Sequence, residues 1–188
     1  GGPAMALLTL EDGRVHNINY PVYEHIRLDW AHPGLKTSLN ILDGANIPYP
    51  NRVSGWHDST INILGGSMGE LNAGNNCLVT VSGGSIGELY ARDNSEITFF
   101  GGLLGEDILL LDNAVLTLHG SGFAVDDIPV ANGEINSVYG GYFVREPYRQ
   151  LTGTLLDGEP INSRFLLAYS SKIVLVPEPA ALLLLGFG

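Results

Sequence analysis

One cysteine, Cys77, stands among 188 residues, so no internal disulfide can form and stability must come from packing and backbone pairing. A lone cysteine of this kind reads as a small hydrophobe rather than a reactive thiol. Basic residues are scarce as well. Nine Lys and Arg face twenty Asp and Glu, leaving a formal charge of −11. Nucleic acid and anionic lipid surfaces both need clustered cations, so neither is expected as a partner. Charged residues of both signs make up only 15% of the chain, and no segment reads as an amphipathic helix. What is abundant is glycine, at 25 residues, and apolar side chains, at 45%. That combination suits one strand-and-turn domain with a core and a polar, weakly charged surface.

The body of the chain repeats. Apolar–polar–apolar triplets stand at Ile61-Asn62-Ile63, Val79-Thr80-Val81, Ile97-Thr98-Phe99 and Leu116-Thr117-Leu118. Their first residues, 61, 79, 97 and 116, are offset by 18, 18 and 19. Glycine follows in register at Gly65-Gly66, Gly83-Gly84, Gly101-Gly102 and Gly120, and Asp58, Asn76, Asn94 and Asn113 precede each triplet by three residues. A second block recurs as Met68-Gly69-Glu70-Leu71, Ile86-Gly87-Glu88-Leu89 and Leu104-Gly105-Glu106. Alternation buries one face of each short strand, and a single such strand cannot bury that face alone. Stacking equivalent coils about 4.8 Å apart solves both problems, because each coil hydrogen-bonds to the next. Gly suits the corners, Asn and Asp tolerate positive φ, and stacked Asn side chains can form ladders. The expected fold is all-β: a small parallel β-solenoid of about 18 residues per coil, with a right-handed coil favoured. An antiparallel sandwich is the alternative, but its turns need not hold side-chain register.

Around the regular repeats at 60–122, residues 1–59 read as irregular N-terminal coils and loops. Leu8-Thr9-Leu10 and Leu39-Asn40-Ile41 are strands there, His25–His32 a loop, and Pro48-Tyr49-Pro50 an insertion. Residues 123–176 read as an irregular aromatic segment, with Tyr139, Tyr142, Phe143 and Tyr148, and a C-terminal cap. In that cap Leu151–Gly158 and Ile173–Val176 are expected to pair as closing strands. Exposed solenoid ends require such covers.

Candidate chemistry is sparse. His16, His25, His32, His57 and His119 are scattered without ligand spacing, so no metal and no cofactor are expected. Glu70, Glu88 and Glu106 would stack as a carboxylate column, either hydrated and screened or a weak Ca²⁺ ladder. Asn62, Thr80, Thr98 and Thr117 would form an outward polar column suited to polysaccharide contact. Ice-ordering surfaces on solenoids use two threonines per coil, and each of these triplets has one at most. Paired carboxylates also serve glycan cleavage. A polysaccharide-active enzyme of pectate-lyase-like architecture would gather two or more of Glu70, Glu88, Asp126 and Asp127 with an Arg or Lys around one concavity. No catalytic residue is assigned.

The C-terminus carries an address. Val176-Pro177-Glu178-Pro179 precedes an apolar run containing Leu182, Leu183, Leu184 and Leu185. It resembles the PEP-CTERM sorting signal of exported bacterial proteins. A Leu-x-Gly-x-Leu-x-Asp-Gly run just upstream, met here as Leu151–Gly158, is also common in that family. The apolar run ends nine residues after Pro179, and at about 1.5 Å per residue it reaches about 14 Å, where crossing needs about 20 apolar residues. The segment 177–188 therefore reads as a truncated sorting signal, and the chain as a piece of a longer protein. The alternative is a final strand that tucks Leu182–Leu185 into the core. What the resemblance implies is an exosortase substrate, held transiently at the membrane by its tail during export. It would then be placed on the cell surface or in extracellular polymer, as a non-enzymatic structural or adhesive module in contact with polysaccharide.

Overall fold

The computed structural model describes residues 6–136 and 148–178. It is all-β, with no helix among the described residues, and coils into a β-solenoid of about six turns whose parallel bridges lie about 19 residues apart. The first eight strands are β1 (Leu7–Leu10), β2 (Val15–Ile18), β3 (His25–Leu28), β4 (Ser38–Ile41), β5 (Asn46–Gly55), β6 (Thr60–Ile63), β7 (Ser67–Ala73) and β8 (Leu78–Ala91). They are followed by β9 (Glu96–Leu110), β10 (Val115–Val125), β11 (Ile128–Pro129), β12 (Gly133–Asn136), β13 (Arg149–Leu155), β14 (Pro160–Leu167) and β15 (Lys172–Pro177).

Each coil has three sides. One side stacks β2, β4, β6 and the opening residues of β8, β9 and β10, ending in β15. Here Ile61, Val79, Ile97, Leu116 and Ile173 lie in one inward column. Ile63, Val81, Phe99, Leu118 and Leu175 form the next, and every member of both columns is buried. A short second side joins Ile47, Met68, Ile86 and Leu104. The third stacks β1, β3, the end of β5, β7, the ends of β8 and β9, and β14, with Leu71, Leu89, Ile108 and Phe165 inward. Each fully buried Ile or Leu contributes about 1.5–3 kcal/mol, so the columns are the main source of stability.

Corners explain the glycines and the asparagines. At Gly84 φ is +77°, and an added Cβ would stand 2.5 Å from the Gly65 carbonyl oxygen of the coil below. Only glycine meets both demands. At the opposite corner the left-handed residues are His57, Asn75, Asp93 and Asp112, with φ of 53, 53, 59 and 56°. These stand one position before the Asp58–Asn76–Asn94–Asn113 series expected from the sequence. The two series divide the work. The first accepts from backbone amides: Asn75 N donates to Asp93 Oδ2 at 2.9 Å, and Asp93 N to Asp112 Oδ2 at 3.3 Å. The second is the side-chain ladder. Asn76, Asn94 and Asn113 each donate through Nδ2 to the oxygen of the residue below, at 3.2, 3.5 and 3.1 Å. Beside this corner runs an inward column of small buried residues, Ser59, Cys77, Ser95, Ala114 and Ser171. Cys77 fills a serine-sized place there, and burial pushes its thiol up to about 12.

Two flanking expectations are corrected, and the expected insertion is located. His25–Leu28 is not loop but β3, a full rung of the third side, because Ile26 and Leu28 alternate inward. The Pro48-Tyr49-Pro50 insertion is a register shift inside β5, between Ile47 and Arg52. Leu151–Leu155 and Ile173–Val176 do not pair with each other. β13 pairs with β14 and β10, whereas β14 and β15 stack in parallel on β9 and β10 as one more coil. An excursion between Leu118 and Arg164 hides that coil from the repeat. The cover over β15 is β12, which pairs with it antiparallel. Tyr139, Tyr142 and Phe143 lie outside the described residues.

Candidate functional site

Outward residues of the solenoid also stack in columns. On the first side Asn62, Thr80, Thr98 and Thr117 align as expected. The column extends to Asn17 and Asn40, whose side-chain amides join Asn62 in a ladder at 2.8 and 2.9 Å. The neighbouring outward positions are Thr60, Leu78, Glu96 and Val115, so no two-threonine array forms.

The carboxylate column differs from expectation in its third member. Glu70 pairs with Glu88, but Glu88 pairs with Asp107. The coil with the 19-residue offset carries its extra residue between Leu104 and Asp107, and Glu106 bulges to the exposed surface. The column is neutralised from its ends. Arg52 Nη1 lies 3.5 Å from Glu70 Oε1, and Arg164 Nη2 lies 2.8 and 2.9 Å from the two oxygens of Asp107. Between them Glu88 accepts from the Tyr90 hydroxyl at 3.2 Å, and Glu70 from Asn72 Nδ2 at 2.6 Å. Burial, then the Glu88 charge, push the Tyr90 phenol up to about 12. Among the described residues no three His, Cys, Asp or Glu gather to hold a metal ion. Asp126 sits elsewhere, bound to Arg149 Nε at 2.8 Å. The histidines are dispersed: His16 lies 2.9 Å from Asp12, His32 2.8 Å from Glu11, and His119 stacks on Phe100. His25 Nδ1 accepts from Arg52 N at 3.2 Å, and burial with the nearby Arg52 charge holds its pKa low.

Beside the carboxylate column lies a groove of about 350 Å³ that sequence reasoning missed. Its floor is the next outward column, Arg27, Ser54, Asn72, Tyr90 and Leu109, one residue from each of five successive rungs. Its wall is a chain of stacked groups. Arg27 lies over Trp30 at 4.8 Å, Trp30 meets Trp56 edge to face at 4.6 Å, and Arg92 lies over Trp56 at 4.5 Å. Gly74 makes this possible. It occupies the corner position between Trp56 and Arg92, and an added Cβ would fall on the indole, 2.6 Å from Trp56 Cε3. Trp56 can therefore lean across one rung to reach the guanidinium two rungs away. A signal existed in the sequence: Trp56, Gly74 and Arg92 stand 18 residues apart, in the period of the repeat. The lining holds three guanidiniums, Arg27, Arg52 and Arg92, and no carboxylate. Glu70 and Glu88 share the face but do not line the groove.

At the other end of the chain, Pro177 belongs to β15, in register with Gly120, and Glu178 follows it. Both are exposed. Glu178 Oε1 accepts from Ser121 Oγ at 3.2 Å, and with Gly120, Phe123 and Val130 they edge a second, open hollow. Pro179 and Leu182, Leu183, Leu184 and Leu185 lie outside the described residues. No helix among the described residues is long and apolar enough to cross a membrane. No protein-family model matches the chain, and no curated protein or solved structure matches it.

Proposed function

We propose that the chain is an exported, non-enzymatic module of the cell surface or extracellular matrix. It is delivered through a C-terminal Pro-Glu-Pro sorting signal, cleaved by an exosortase, and held briefly at the membrane by its apolar tail. The supporting observation is the position of Pro177 and Glu178. They are exposed at the end of β15, the last strand of the described chain, where a processing enzyme can take the segment in extended form. The body suits the role. A rod built of stacked rungs offers long flat faces, and one of them carries the aromatic and arginine groove. Its contact partner is extracellular polysaccharide.

The experiment expresses the full reading frame in an exporting bacterium, beside a Pro177→Ala/Glu178→Ala variant. The expected result is a released form whose intact mass ends near the motif, while the variant stays in the membrane fraction. Identical distribution and mass for the two proteins would refute the sorting role.

A second reading, a polysaccharide-active enzyme, draws on the adjacency of Glu70, Glu88 and Arg52 on the face that bears the groove. It ranks second because neither carboxylate lines the groove. Release of reducing ends from polygalacturonate, abolished in Glu88→Gln, would reverse the order.

A further inference from the structure

We propose that the groove lined by Trp30, Trp56 and Tyr90 and armed by Arg27, Arg52 and Arg92 is a binding site for an extended, carboxylate-bearing polysaccharide. This rests on the surface-module reading above and gives it a location and a ligand class.

Charge points to an anion. The protein carries −11, yet three of its nine cations line this one groove, and no acid does. Such a concentration runs against the field of the whole molecule. Two of the guanidiniums are only lightly engaged. Arg27 has no carboxylate within ion-pair distance among the described residues, and the Arg92 contact to Asp93 is 3.9 Å long. Guanidinium forks match carboxylates in bidentate fashion, and stacking on indole holds the fork in place beforehand, which lowers the ordering cost of binding.

Shape points to a chain rather than a small molecule. The groove crosses five rungs, about 19 Å at the usual strand spacing. Trp30 keeps 47% of its surface exposed despite its two stacked neighbours. An exposed indole beside hydrogen-bonding Asn72 and Ser54 suits a sugar ring, which has apolar C–H faces and a polar rim. Nucleic acid also has flat rings and anions. Successive bases, however, stack on successive aromatic platforms, and Trp30 alone among the lining rings is exposed.

The test is retardation of the purified protein in native gels cast with polygalacturonate, dextran or a single-stranded oligothymidylate. Retardation by polygalacturonate alone is expected, weakened by a tenfold rise in salt. Arg92→Gln and Arg27→Gln should each weaken it about fivefold or more, as should Trp30→Ala. Arg14→Gln, which removes a cation outside the lining, should bind as the wild type does. Thermal melts of each variant separate lost binding from lost folding. Equal retardation by dextran would remove the carboxylate requirement, and equal retardation by oligothymidylate would remove the glycan. No retardation by polygalacturonate, or unchanged binding by both arginine variants, would overturn the site. None of these outcomes depends on the C-terminal tail, so the sorting role stands or falls separately.

Discussion

Replacing Gly74 with alanine tests whether the indole of Trp56 lies where the structure puts it. The φ of Gly74 is not in the left-handed region, so the backbone accepts alanine. By itself the substitution should stabilise the protein by about 0.4–1 kcal/mol, because it stiffens the unfolded chain. Opposing this, the new Cβ would overlap Trp56 Cζ3 and stand 2.6 Å from Cε3. An indole is rigid, so the whole ring must swing away. That breaks the Arg92 stack, worth about 0.5–1 kcal/mol at a partly exposed site. It also breaks the Trp30 edge contact, worth about 0.5–1.5 kcal/mol. At mid-range the contacts win by about 1 kcal/mol, or about 2–4 °C of melting temperature for a chain this long. Thermal unfolding by circular dichroism measures the shift, and tryptophan emission should move to longer wavelength as the ring becomes wetter. The decisive comparison is the same substitution in a Trp56→Ala background. With no ring to displace, Gly74→Ala should be neutral or stabilising. If Gly74→Ala destabilises both backgrounds equally, the cause is not the indole, and the account of the groove wall is wrong.

The core, the corner and the thiol each yield a further prediction. Phe99→Ala should cost about 3–5 kcal/mol, read from the denaturant midpoint, because Phe99 is fully buried between Val81 and Leu118; a loss under about 1 kcal/mol would deny the stacking. Asp93→Ala should destabilise more than Asp93→Gly, since both lose the bond to Asn75 N but only alanine bears the left-handed strain, about 1–2 kcal/mol. Equal losses would contradict that turn. Cys77 should resist thiol reagents until the protein unfolds. Its folded pKa, about 12, is raised above the unfolded value, so its contribution is complete below about pH 8.5 and declines as pH climbs toward 12. Stability curves against pH for the wild type and Cys77→Ser should therefore diverge by about 1.4 kcal/mol per pH unit in that window, and parallel curves would place the thiol in water.

Much of the solenoid was legible because its physics is periodic. Val79, Ile97 and Leu116 announce their stacking through equal spacing, and glycine marks the corner where backbones meet. The carboxylate column was legible only in part. An 18-residue count leads to Glu106, but the one-residue bulge before Asp107 depends on how the β9 backbone packs against β8. The last coil was hidden for a related reason. β14 and β15 obey the same alternation as the other rungs, but a long excursion separates them from β9 and β10 in sequence.

The amino-acid order alone determined that strands alternate, turn at glycine and at Asn or Asp, and stack with a fixed period, because these are local demands on backbone angles and side-chain polarity. It could not determine which outward side chains become neighbours. Arg27, Trp30, Trp56 and Arg92 span 66 positions of chain, and they touch only because coiling brings rungs to strand-pairing distance and a missing Cβ at Gly74 lets an indole lie across the gap. That assembly belongs to the tertiary structure, since hydrogen bonding between coils, rather than any property of those four residues, sets where each one stands.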